Sequence, residues 1–178
     1  MLNWFLIAVA AIVVVFLVIV ALQPSDFRVV RSATMRAPAP AAFAQVNDFQ
    51  NWRAWSPWEK VDPALKRSYE GPKAGTGSVY AWQGNKDVGE GRMTITESRP
   101  AELVRIKLEF VKPFAATNAT EFTFKPAGAD GTAVTWTMTG RNNFLSKAMC
   151  LFVNMDRMVG GMFEQGLAQM KSVVESTR

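Results

Sequence analysis

The sequence predicts an α+β domain, a curved antiparallel β-sheet wrapped around a long C-terminal helix, preceded by one N-terminal transmembrane helix. Three observations carry this. Residues 1–25 hold no charged side chain, while all 20 Lys and Arg and all 15 Asp and Glu of the 178-residue chain lie from Asp26 onward. From about residue 64 to 140, apolar residues alternate with polar ones between turn signals, the period of half-buried strands. After Gly140 the apolar period becomes three and four, that of an amphipathic helix.

The first element is Trp4–Leu22, WFLIAVAAIVVVFLVIVAL, 19 apolar residues in a row. As a helix it spans about 28 Å, close to the roughly 30 Å of a hydrocarbon core. Trp4 suits an interface, and Gln23-Pro24-Ser25 ends the helix. A cleaved signal peptide is the competing reading. The lack of a basic N-terminus, the length of the run and the absence of an A-x-A site favour an uncleaved anchor. The division expected is therefore an anchor over residues 1–25 and a folded domain over 26–178. Arg28, Arg31 and Arg36 follow the span and nothing basic precedes it. The positive-inside rule then places the domain on the cytoplasmic side of a single-pass protein, unless these arginines belong to a folded strand.

Phe27–Met35 is the first strand, with Val29, Val30 and Thr34 favouring β structure. Ala37-Pro38-Ala39-Pro40 breaks it, and Pro40 suits the first turn of a helix over Ala41–Phe49. Phe43, Val46 and Phe49 then face inward. Trp52 to Trp58 is short and broken by Pro57. About six strands follow. Val104, Ile106, Leu108 and Phe110 oppose Arg105, Lys107 and Glu109; Thr120, Phe122 and Phe124 oppose Glu121 and Lys125; Val134, Trp136 and Met138 oppose three threonines. One dry and one wet face make an antiparallel sheet. One long helix is expected from Phe144 to Ser176, on the recurrence of Ala148, Phe152, Met155, Val159, Met162, Gly166, Met170 and Val173. Gly160-Gly161 weakens it by about 1 kcal/mol each relative to Ala and marks a bend or a close approach. A curved sheet buries its inner face by wrapping an element, and a gap between the two suits an apolar ligand.

There is no histidine and one cysteine, Cys150. That excludes Ser-His-Asp and Cys-His catalysis, imidazole metal ligation and thiolate clusters; no metal and no cofactor is expected. The net charge of +5 is not gathered into a basic block, which speaks for a solvated surface and against nucleic acid. Gly75-Thr76-Gly77 lacks the third glycine and the α/β setting of a dinucleotide site. Asn118-Ala119-Thr120 matches a glycosylation sequon but falls within a strand. Cys150 is expected as a small buried hydrophobe, and Asp156-Arg157 as a solvated helix patch.

Trp52, Trp55 and Trp58 place three of the six tryptophans within seven residues. They either close one end of the core or wall a cavity, since indoles offer large apolar area and one donor. Five of the nine methionines, Met149, Met155, Met158, Met162 and Met170, lie in the last helix, as plain packing or as a pliable cavity lining. With Met155, Met158 and Met162, the inward residues Phe110, Phe122, Trp136 and Phe152 complete that lining. Tyr80 and Trp82 share a strand face. So do Glu90 and Arg92, as an exposed pair, or with Glu90 turned into the cavity. An inward Glu90 would be a raised-pKa acid or base, and Glu90 and Tyr80 are the candidate catalytic residues.

Asn47-Asp48-Phe49, Asn51-Trp52, Trp55-Ser56-Pro57-Trp58, Gly77, Val79-Tyr80-Ala81-Trp82, Gly89-Glu90-Gly91 and Phe163-Glu164-x-Gly166-Leu167 recur in order in a known family. In these motifs residues 26–176 resemble the polyketide cyclase/dehydrase branch of the START-like (SRPBCC) superfamily. The resemblance implies the helix-grip fold with a deep hydrophobic cavity; the membrane helix departs from its stand-alone form. It implies no particular activity, because members include lipid carriers, ligand-binding proteins, cyclases and hydrolases with no shared catalytic motif. The expected function is binding or carrying a hydrophobic small molecule, such as a lipid, quinone or polyketide-like compound, next to a membrane. A cyclase or dehydratase acting on an aromatic or polyketide substrate, and a non-catalytic interaction protein with a collapsed cavity, remain open. The last requires Trp55, Trp82, Trp136 and Phe152 packed without a void.

Overall fold

The computed structural model describes residues 2–176. The apolar run forms α1 (Leu2–Leu22), a helix long and apolar enough to cross a membrane. After β1 (Asp26–Met35) come α2 (Ala39–Asn47) and α3 (Trp52–Trp55), each followed by a turn of 3₁₀ helix. Pro40 sits in the first turn of α2, where a missing N–H loses no hydrogen bond. Six strands follow: β2 (Lys66–Glu70), β3 (Val79–Gln83), β4 (Glu90–Arg99), β5 (Leu103–Lys112), β6 (Ala116–Pro126) and β7 (Thr132–Arg141). The chain closes with α4 (Phe144–Cys150) and α5 (Met155–Ser176).

The seven strands make one antiparallel sheet in the order β1-β7-β6-β5-β4-β3-β2. Consecutive strands are neighbours except β1, which returns to pair with β7 along its full length. Alternation sends Val104, Ile106, Phe122, Phe124, Val134 and Trp136 into the core. There they meet Phe163, Leu167, Met170 and Val174 of α5. This is the wrapped helix that the strand pattern and the closing period predict.

The expected single helix over Phe144–Ser176 is instead two. Leu151 to Asn154 form a turn, and Asn154 starts α5 by accepting the Arg157 backbone N–H at 2.9 Å. Asparagine is a favoured cap because its side chain satisfies an orphan donor of the first turn. Past the break, the buried positions are Gly160, Phe163, Gly166, Leu167, Met170 and Val174. Phe152 is left on the turn, 79% exposed. Met149 and Met158 are exposed, Met155 and Met162 half-buried, and of the five methionines Met170 alone is in the core. Cys150 is half-buried and free, not enclosed.

The two adjacent glycines of α5 differ. Gly160 lies under the Arg31 guanidinium, where a Cβ would collide. Arg31 there donates to Asp156 at 2.9 Å and to Glu164 at 2.6 Å, fastening α5 to β1. Asp156 is thus an ion-pair partner rather than a merely solvated residue. Nothing lies within 4 Å of a Cβ at Gly161. Gly161→Ala is therefore expected to stabilise by up to about 1 kcal/mol, the helix-propensity difference. Gly160→Ala gains the same propensity but expels Arg31, so it should melt below Gly161→Ala. Equal melting temperatures would refute the clamp.

Candidate functional site

A cavity of about 220 Å³ lies between the inner face of the sheet and the first turns of α5. Trp52 and Trp58 wall one side, Tyr80 and Trp82 come from β3, Phe110 from β5 and Trp136 from β7. These are six of the residues expected to line it. Met93, Leu108, Met138, Val159 and Phe163 add to the apolar wall, with Leu65 just before β2 and Val88 just before β4.

Each aromatic is held by a specific contact. The indole N–H groups of Trp52 and Trp55 donate to the carbonyls of Val46 and Gln45, both at 3.0 Å. These are unpaired carbonyls at the end of α2, so the two rings cap that helix while packing in the core. Trp55 is fully buried behind the cavity and Trp58 is half-buried at its wall; the tryptophan cluster serves both roles. Trp82 faces Gly91 across the β3–β4 ladder, and any Cβ at Gly91 would strike its ring. This glycine lets the indole lie across β4 and meet Phe110 edge-on at 5.9 Å. Trp136 stacks flat on Phe163, with ring centroids 4.0 Å apart and planes 6° from parallel.

One corner of this apolar space is polar. The Glu59 side chain, 7% exposed, accepts from Arg67 Nε at 2.6 Å. Its other oxygen accepts from the Tyr80 hydroxyl at 2.7 Å. Burial, then the hydrogen bond to Glu59 and its charge, push the Tyr80 phenol far above its usual range. For Arg67, burial pulls down, but the hydrogen bond and charge of Glu59 outweigh it and the direction is up. The Trp136 indole N–H is buried and has no hydrogen-bond partner among the described residues, a state that costs about 1–3 kcal/mol.

The raised Tyr80 pKa gives a pH test. Unfolded tyrosine ionises near 10 while the folded phenol stays neutral, so its contribution is intact below pH 10 and lost as pH rises past it. The limiting slope is about 1.4 kcal/mol per pH unit. Tyr80→Phe should remove that slope from the stability profile above pH 10, and an unchanged slope would count against the buried hydrogen bond.

Glu90 is not in this cavity. Gly91, Met93 and Ile95 point inward from β4, so Glu90 and Arg92 face outward. Glu90 accepts from Gln83 at 3.0 Å and from Lys112 at 2.9 Å. These two bonds hold its carboxyl below the usual carboxylate range, the reverse of a cavity acid. Arg92 pairs with Glu70 rather than Glu90. Trp55 and Phe122 lie in the core behind the lining, and Phe152, Met155, Met158 and Met162 are outside it. The sequence gives no sign of Glu59, because a lone carboxylate in a Pro-broken segment carries no periodic signal and its partner Tyr80 is 21 residues away.

A wider groove of about 1080 Å³ crosses the outer face of the sheet. Its Arg105 is engaged by Glu97 and Glu121, and it offers no apolar enclosure. Asn118 of the sequon is buried, so a glycan has no room there. Among the described residues no group of three His, Cys, Asp or Glu is placed to hold a metal ion.

The family described as polyketide cyclase / dehydrase and lipid transport matches residues 26–175. No curated protein matches the chain. Solved structures share the fold at low identity. An aromatase/cyclase from a Streptomyces species is 14% identical, with TM-score 0.61 over 84% of this chain and 94% of that one. A protein of unknown function from Staphylococcus aureus is 13% identical, with TM-score 0.62 over 87% and 97%. A protein from Chromobacterium violaceum is 16% identical, with TM-score 0.57 over 86% and 99%.

Proposed function

The chain belongs to the polyketide cyclase / dehydrase and lipid transport family, and on that premise we propose that it is a membrane-anchored protein that binds or carries a hydrophobic small molecule. The cavity carries this reading: a partly enclosed space walled by four tryptophans, Tyr80 and Phe110. Apolar burial drives binding at about 25 cal/mol per Å² before the costs of association. The volume is below the roughly 300–1,000 Å³ of a drug-sized site. It suits a small ring system or one end of a chain, with the polar end of the ligand near Tyr80 or the free Trp136 N–H. The void also argues against a collapsed, purely interacting protein. On this reading α1 is the uncleaved anchor over residues 1–25 and residues 26–178 form the domain. Arg28 and Arg31 belong to β1, with Arg31 paired to Asp156 and Glu164, so they are not the free basic flank on which the positive-inside rule would place the domain in the cytoplasm.

Cyclase or dehydratase chemistry is a second reading, favoured by the Tyr80–Glu59 pair on the cavity wall. Acid–base work needs a proton that moves near the operating pH. Tyr80 is pushed away from that range, and each Glu59 oxygen already accepts a hydrogen bond. The pair is better suited to hold a ligand oxygen than to transfer a proton.

Native mass spectrometry with lipid extraction on the full chain, released from membranes in mild detergent, tests the proposal. A hydrophobic molecule retained at one per chain is the expected result. An empty protein that also fails to bind fluorescent fatty-acid probes would overturn it.

A further inference from the structure

The strand register gathers one end of the domain beside α1. Glu90 is opposite Lys112, Phe110 opposite Ala116, Asn118 opposite Gly140, and Asp26 opposite Arg141. The β3–β4 loop, the β5–β6 turn and α4 therefore share the end from which α1 leaves. The turn into α5 joins them, because Phe152 touches Phe16 of α1 with ring centroids 6.5 Å apart. Lys147 of α4 also donates to the Ala21 carbonyl at 3.3 Å.

Exposed apolar side chains collect at this end. Outside α1, 11 large hydrophobic residues are exposed among the described residues, and only Val61 and Tyr69 lie elsewhere. The others include Phe114, Phe144, Leu145, Phe152, Val153 and Met158. Exposed apolar side chains gathered at one end of a folded domain mark an interaction surface. The depth of one contact names the occupant. Phe16 lies six residues inside the end of α1, about 9 Å along the helix axis, and Phe152 sits at its level. Interfacial segments bury their apolar face about 5–10 Å into a bilayer. Charge at this end is nearly balanced: Lys86, Lys112, Arg141, Lys147 and Arg157 lie with Asp26, Asp87, Glu90 and Asp156, and Lys112 pairs with Glu90 and Arg141 with Asp26, so the apolar side chains rather than charge carry the seating. Trp82, Val88, Phe110 and Val159 bring the cavity wall there too.

We infer that this end of the domain is seated in the lipid interface beside α1, so that the cavity opens onto the bilayer and an apolar ligand passes between them without crossing water. The inference rests on the reading of α1 as a membrane anchor. The test uses the full chain with Cys150→Ser and one new cysteine carrying an environment-sensitive nitrobenzoxadiazole dye. The sites are Val13→Cys in α1, Phe152→Cys or Phe114→Cys in the patch, and Ala129→Cys in the far β6–β7 turn. The protein is reconstituted in phosphatidylcholine–phosphatidylglycerol vesicles with and without doxyl-labelled lipid. Blue-shifted emission quenched by doxyl lipid at 13, 152 and 114, and neither at 129, is the expected result. Quenching at 13 with water-like emission at 152 and 114 would overturn this inference and leave the anchor standing. A blue shift at 152 and 114 without quenching would mean that a second protein copy covers the patch, and would overturn it. No quenching at 13 would remove the anchor and this inference together.

Discussion

Phe163→Ala is expected to lower stability by about 3–5 kcal/mol, the usual range for deleting a buried phenylalanine. Set against a total of about 5–15 kcal/mol, that is a large fraction. Phe163 is 1% exposed and joins three parts of the fold. It stacks on Trp136 of β7 and meets Trp58 edge-on at 6.2 Å, while its own helix is fastened to β1 through Arg31. It also lines the cavity, so its neighbours have a void on one side and little capacity to close the gap. The cost should therefore sit high in the range. Urea unfolding followed by tryptophan fluorescence gives the measurement, with exposed Gln165→Ala on the same helix as control. A midpoint for Phe163→Ala no lower than that of the control would refute the stacked Trp136–Phe163 contact as the main tie between helix and sheet. The same variant should enlarge the cavity and admit a bulkier ligand, separating its effect on stability from its effect on binding.

Much of this architecture was legible because burial follows period. The strand alternation at Val104–Phe110 and Val134–Met138 placed the inner face correctly, and β1, the six later strands and the wrapped helix all stand where the pattern put them. What the pattern lost was the break in the last helix. The apolar list from Ala148 to Val173 assumes one unbroken helix; Val159, Gly166, Met170 and Val173 do turn inward, but the turn at Leu151–Asn154 takes Phe152 out of the helix and leaves Met155 and Met162 at the edge of the buried face. Of the helix residues expected at the cavity, Phe152, Met155, Met158 and Met162 lie outside it; Val159, on the expected inward face, and Phe163, which is not on that list, line it. The only local sign of the break was Asn154, whose capping role depends on where the chain turns. Glu90 failed for a different reason. Strand parity allowed either face, and the pairing with Lys112, 22 residues away, is a fact of register. The Glu59–Arg67–Tyr80 corner is likewise tertiary: a 3₁₀ turn, an edge strand and its neighbour supply one residue each, and no spacing in the sequence announces it.

Arg67→Met should be the second severe change, because it strands a buried carboxylate. Glu59 loses its Arg67 partner and keeps the Tyr80 hydroxyl alone. Breaking a buried pair by removing one partner costs about 3–5 kcal/mol. The Arg67 side chain is 21% exposed and water replaces part of the lost interaction, so the lower end of that range is expected. The double variant Glu59→Met, Arg67→Met decides whether charge or packing is responsible. Both variants lose the Arg67 donor to the Leu65 carbonyl, but removing both charges leaves the Tyr80 hydroxyl without its acceptor instead of a buried carboxylate without its cation, so the double variant should be more stable than Arg67→Met alone. A double variant as unstable as the single would mean that Arg67 acts through its aliphatic stem. The comparison also reaches the ligand. If the Glu59–Tyr80 corner holds the polar end of a bound molecule, the folded double variant should still take a pure hydrocarbon probe while losing affinity for probes with a hydroxyl or carbonyl end. Equal affinity for both kinds of probe in the double variant and the parent would show that the corner stabilises the fold and leaves recognition to the aromatic walls.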